Sequence, residues 1–151
     1  MTHEPDPLGP ESPAGPASNA AFESNASRPT VDTIGLGFLA EFLEIALRRH
    51  PGNVEALAEL GTVYTRLKRF RDGLDIDQLL VRLVPANPTA HYNLACSLAL
   101  CGDPEAGGAA LAAAVRCGYD DGAHLAADED LRSLRQDPRF TELVTKLSSP
   151  D

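Results

Sequence analysis

The chain has 151 residues, enough for one domain with a buried core, and its formal charge of −9 disfavours binding to phosphate backbones. Its three cysteines, Cys96, Cys101 and Cys117, are odd in number and form no CxxC, which argues against a disulfide framework. Small buried thiols in a reducing compartment are the expectation.

Residues 1–30 carry Pro5, Pro7, Pro10, Pro13, Pro16 and Pro29, with Leu8 and Phe22 the main large apolar side chains. Such a segment buries too little surface to offset the entropy of ordering, so it is expected to be a disordered tail. It lacks a basic stretch followed by an apolar one, so no secretory signal is expected and the cytoplasm is the expected compartment. The most apolar stretch, 34–47, is too short for a bilayer and contains Glu41 and Glu44, so no membrane association is expected.

From residue 31 the chain reads as helices, with no segment of strand period. Asn87-Pro88, Asp103-Pro104 and Asp137-Pro138 each place a side-chain oxygen ahead of a proline. The oxygen accepts from a free first-turn N–H, and the proline sits where its missing N–H costs nothing. Asn53 is a fourth cap. Stops at His50-Pro51-Gly52, Val84-Pro85 and Cys117-Gly118 close helices. The signals predict helices over 32–49, 54–67, 70–84, 88–101, 104–117 and 138–147, with short helical pieces between Asp121 and Arg135. The basic run Arg66, Lys68, Arg69, Arg71 falls in a turn and reads as solvated.

A period of thirty-four residues runs through these helices. Leu57, Leu60, Gly61, Tyr64, Gly73 and Leu80 recur as His91, Leu94, Ala95, Leu98, Gly107 and Ala114. Ala46 and Pro51 stand one period before Leu80 and Pro85. This is the spacing of a helix–turn–helix unit that must stack on a neighbour to bury its apolar face. Small residues at 61, 73, 95 and 107 mark places where helices are expected to approach closely.

Leu57-x2-Leu60-Gly61-x2-Tyr64, followed by Gly73, Leu80 and Pro85, resembles a tetratricopeptide repeat of bacterial type. Asn93-Leu94-Ala95-Cys96-x-Leu98 followed by Gly102-Asp103-Pro104 resembles a second copy. The match is partial: glycine replaces the small Ala of both second helices, and Asp77 stands where an aromatic is expected. Asp77 therefore reads as a weak point in packing or a sign that its helix is rotated. The segment from Leu125 to Phe140 keeps helix starts but puts Asp128-Glu129 where the Leu-Gly pair belongs, like a polar closing segment. The resemblance implies an all-α fold, a short right-handed α-solenoid of antiparallel helix pairs. It also implies a partial repeat at 32–53, repeats at 54–87 and 88–119, and a degenerate cap at 120–148.

A search for chemistry finds none. His3, His50, His91 and His124 form no H-E-x-x-H, and His91 and Cys96 diverge on one helix, so no metal site, catalytic residue or cofactor is expected. Asp120, Asp121, Asp128, Glu129 and Asp130 lack calcium-loop spacing and read as helix caps at Asp121 and Asp130. The resemblance implies instead a concave face lined by the first helix of each unit. It would present Glu55, Ala58, Glu59, Thr62, Thr65 and Arg66 from one unit and Thr89, Tyr92, Asn93, Cys96, Ala99 and Leu100 from the next. Tyr92 and Asn93 are the leading contacts, for aromatic area and amide pairing. A clamp for a peptide carboxylate would want Lys or Asn where Ala58, Glu59 and Thr62 stand, so that clamp is not expected; Glu55 and Glu59 make the groove of the first unit lean acidic, which favours a basic or neutral peptide. The expected function is a non-catalytic adaptor for a protein or peptide partner, with no nucleic acid and a homodimer compatible with so short an array. Alternatives are a small acidic chaperone for a secreted substrate and an accessory subunit of an enzyme complex.

Overall fold

The structure, a computed structural model, describes residues 28–149. The expectation of a disordered tail lies, for residues 1–27, outside the described residues. Within them the chain is helical, with seven α-helices, one 3-10 helix and no strand. The helices are α1 (Val31–Arg49), α2 (Val54–Arg66), α3 (Phe70–Leu83), α4 (Pro88–Leu100), α5 (Pro104–Arg116), α6 (Gly122–Ala127) and α7 (Pro138–Ser148). The 3-10 helix, Glu129–Leu134, lies between α6 and α7. None of the described helices is long and apolar enough to cross a membrane.

The local chemistry read from the sequence sets these boundaries. Asn53 accepts from the Ala56 N–H at 2.9 Å, Asn87 from Ala90 at 3.1 Å and Asp103 from Ala106 at 3.0 Å. Asp137 accepts from Arg139, and Thr30 caps α1 through Thr33. Asp121 caps α6 as expected, but the cap of the 3-10 helix is Asp128, which accepts from the Asp130 N–H at 2.9 Å. Asp130 is thus the capped residue rather than the cap.

Three helix ends share one turn geometry. Lys68, Gly102 and Gly118 have φ of 59°, 85° and 106°, and the residue after each donates back to a carbonyl one turn earlier. Glycine adopts this left-handed conformation freely, whereas Lys68 holds it at a cost. Lys68→Gly is therefore expected to stabilise the fold by about 0.5–1 kcal/mol in urea unfolding; a destabilised variant would mean that the lysine side chain compensates.

From α1 to α5, each helix packs on the next. A Cβ on Gly61 would lie 3.0 Å from Asp77 Oδ1 and 3.4 Å from Ile76 Cγ2, and one on Gly73 3.7 Å from the Gly61 carbonyl. Position 61 meets 77 while 73 meets 61 and 65, so α2 and α3 run antiparallel. Across α4 and α5, a Cβ on Gly107 would sit 3.2 Å from the Ala95 carbonyl, backbone that cannot yield easily. The small residues at 61, 73, 95 and 107 do lie at helix contacts.

The core is divided along the chain. Ala40 and Leu43 of α1 pack on Leu60, Val63 and Tyr64 of α2. Leu57, Leu80 and Ala90 join α2, α3 and α4. The largest cluster joins α4 and α5 to the C-terminal elements through Ala95, Leu111, Ala114, Leu125, Leu131, Leu134 and Phe140.

The basic turn is more engaged than its composition suggests. Arg69 pairs with Asp72 at 2.7 Å, reaches Glu44 of α1 at 3.7 Å, and lies over the Tyr64 ring at 4.3 Å. The Tyr64 hydroxyl donates to the same Glu44 at 2.6 Å. Burial, reinforced by that bond, pushes the Tyr64 hydroxyl up to about 12. At the other end, Arg139 of α7 bridges Glu105 of α5 at 2.8 Å and Asp137 at 2.6 Å. The guanidinium holds the Asp137 carboxyl below the usual range. All three of these side chains retain water contact, so the bridge adds little stability and mainly orients α7.

Candidate functional site

The site is a cleft of about 260 Å³ at the junction of α2, α4 and the elements after α5. Helix α2 contributes Thr62, Thr65 and Arg66, four residues or fewer apart and hence on one face. Helix α4 contributes Tyr92, Asn93, Cys96 and Ser97, and the C-terminal part adds His124, Asp128 and Asp130.

Two polar pairs form the floor. Asp77 of α3 is only 3% exposed and accepts from the Ser97 hydroxyl of α4 at 2.6 Å. The carboxylate has a buried partner, and the small neighbour Gly61 leaves it room. Burial pushes the Asp77 carboxyl up to about 6, against the opposing pull of the Ser97 bond.

The second pair links Tyr92 and Asp128. The Tyr92 hydroxyl donates to Asp128 Oδ2 at 2.5 Å, and the ring stacks on Tyr119 with centroids 4.5 Å apart and planes 8° from parallel. His124 Nε2 lies 3.7 Å from the same carboxylate oxygen. The Cys96 thiol points at it from 3.8 Å. Asp128 thus gathers a phenol, a thiol and an imidazole on one oxygen while its other oxygen caps the 3-10 helix. Burial and the bond to Asp128 drive the Tyr92 hydroxyl far above its ordinary value. Burial, with the Asp128 charge, does the same to the Cys96 thiol. A thiol held protonated is a poor nucleophile. Burial and the neighbouring Asp128 also raise Asp130.

The twelve residues singled out from the sequence separate into two groups. Thr62, Thr65, Arg66, Tyr92, Asn93 and Cys96 line the cleft together. Ala58, Ala99 and Leu100 stand outside its lining, as do the exposed Glu55, Glu59 and Thr89, with Glu55 beside the α1–α2 turn. Tyr92 and Cys96 are buried, at 5% and 9% exposure, so Tyr92 is a pillar under the cleft rather than a large contact surface. The surfaces open to a ligand are those of Thr62 and Arg66, with Asn93 half-buried. Asp77, Ser97, His124, Asp128 and Asp130 were not among the twelve. The one sequence signal for them was polar Asp128-Glu129 standing where the repeat calls for an apolar pair.

Three carboxylates, Asp77, Asp128 and Asp130, and one guanidinium, Arg66, belong to the lining of the cleft. Among the described residues, no group of three His, Cys, Asp or Glu side chains is placed to hold a metal ion. The chain matches no family model and no curated protein.

Proposed function

We propose that the chain is a short tetratricopeptide-like α-solenoid that binds a partner protein without catalysis, taking a basic or neutral segment of it into the acidic cleft. The observation that carries this reading is the convergence of Asp77, Asp128 and Asp130 with the open polar side chains of Thr62, Arg66 and Asn93. Small-molecule sites are commonly about 300–1,000 Å³ and mostly apolar. This cleft is smaller and polar, a fit for one long cationic side chain of a peptide whose backbone runs along α2 and α4. Asn93 can pair with both the N–H and the C=O of an extended chain. The solenoid reading rests on the thirty-four-residue period and on each of α1 to α4 packing on the helix that follows it. Burial and the neighbouring Asp128 charge hold the Cys96 thiol protonated, which favours a non-catalytic role.

The test uses an array of Lys- and Arg-containing peptides, with acidic and neutral peptides as controls, probed with the full-length chain. Basic peptides should be retained, and Asp130→Asn and Asn93→Ala should each weaken retention about tenfold, the loss of one charge-assisted or paired hydrogen bond. Retention of acidic peptides, or retention of basic peptides by both variants as strong as by the wild type, would refute the reading.

A further inference from the structure

Helix α1 exposes an apolar stripe that nothing described covers. Val31 is 86% exposed, Ile34 47%, Phe38 69%, Phe42 67% and Ile45 45%. Their steps of three and four residues put them on one face, opposite Ala40 and Leu43, which pack on α2. Two glycines lie within the same stretch, Gly35 and Gly37, with no atom within 4 Å of where a Cβ would stand. Glycine weakens a helix relative to alanine, and inside the monomer no close approach of another element compensates for it.

The internal period shows what such a face ordinarily meets. One period after Phe42 and Ile45 stand Ile76 and Leu79 of α3. Ile76 packs into the α1–α2 cluster, and Leu79 packs against the cluster that Leu57 of α2 shares with Leu80 and Ala90. On α3 this face is therefore covered by the helix before it. On α1 the same face lacks a preceding helix among the described residues, so the occupant it fits is another amphipathic helix running antiparallel to it.

We propose that the occupant is α1 of a second copy of this chain, crossing on a two-fold axis at Phe38. The stripe is nearly a palindrome about that residue: Val31 and Ile45 lie seven positions to either side, Ile34 and Phe42 four. A two-fold interface requires that residue i meet j while j meets i. Here Phe38 meets Phe38, Ile34 meets Phe42, and Val31 meets Ile45. Gly35 then leaves the notch into which the partner's Phe42 ring fits. The antiparallel pairing also brings the Asp32 end of one helix toward the Arg48–Arg49 end of the other, which suits both helix dipoles.

Area favours a copy over the chain's own remaining segment. The five side chains expose on the order of 600 Å² per copy, aromatic residues alone offering about 150–250 Å² each when buried. Two copies together pass the roughly 1,000 Å² that a specific interface needs. Residues 1–27 carry only Met1, Leu8 and Phe22 as large apolar side chains, too few and too scattered to cover a five-residue stripe.

Light scattering on the full-length chain at about 50 µM, above the weakest affinities of interfaces this size, tests the proposal. The expected mass is twice 16.0 kDa. Phe38→Glu should return the mass to the monomer value with an unchanged helical circular-dichroism signal, since Phe38 lies outside the core clusters. Under oxidation, Phe38→Cys should give a disulfide-linked dimer beyond any formed by the wild type, and Glu59→Cys should not. A dimeric Phe38→Glu chain, or an unlinked Phe38→Cys chain, would overturn the proposal. So would a monomeric wild type: with weak binding of a hydrophobic dye it would assign the stripe to residues 1–27, with strong binding to a different protein.

Discussion

Tyr92→Ala will lower the unfolding free energy by about 3–5 kcal/mol, the range for deleting a buried aromatic side chain. Three losses combine. The Tyr119 ring loses its stacking partner, α4 gains a cavity against the C-terminal elements, and Asp128 loses the hydroxyl that donates at 2.5 Å. Tyr92→Phe separates these effects. It keeps the stack and the volume but leaves a largely buried carboxylate oxygen without its strongest donor, at about 1–3 kcal/mol. Urea unfolding followed by circular dichroism measures both. Values within about 0.5 kcal/mol of wild type for both variants would mean that Tyr92 is a surface residue after all.

Asp77→Asn will change how stability depends on pH. The folded Asp77 carboxyl titrates near 6 because burial disfavours its charge, while an unfolded aspartate titrates near its ordinary 3.8. Between those values the folded chain keeps a proton that the unfolded chain releases. The contribution is therefore full below about 3.8 and is lost as pH rises through about 6, by up to about 3 kcal/mol. Asparagine cannot ionise and still offers an oxygen to the Ser97 hydroxyl. The variant should match wild type near pH 4 and exceed it at pH 7.5 by up to that amount. Comparing the two proteins at each pH cancels the other titrating groups. Parallel profiles from pH 4 to 7.5 would show that Asp77 titrates normally. A cationic side chain in the cleft would stabilise the Asp77 anion, so a basic ligand should bind more tightly above pH 6.

The parts of this structure governed by neighbours in sequence were legible in the sequence. A cap is a bond across two or three residues, so Asn53, Asn87, Asp103 and Asp137 announced their helices directly. Glycine and alanine at 61, 73, 95 and 107 marked helix contacts because a repeated small residue has few other reasons to sit inside a helix. The site was legible only in part. The resemblance to a tetratricopeptide repeat implied that Tyr92 lies on the open face of α4, but α6 and the 3-10 helix depart from the period and bring Asp128 beneath that face. Asp77 looked like a defect because its partner, Ser97, lies on the next helix and breaks no pattern of its own. The α1 stripe was visible as an apolar stretch. Which of its faces stays open depends on how many helices flank α1, a property of the assembled chain.

The most direct test of the binding account is a titration of the isotopically labelled full-length chain with a short lysine-containing peptide retained by the array, followed by amide chemical shifts. The account predicts that the largest changes fall at Thr62, Thr65, Arg66, Asn93, Ser97 and Asp130, around the cleft, and that Glu55, Glu59 and Thr89 change little. Changes centred on any other surface, with the cleft amides unmoved at saturation, would contradict it.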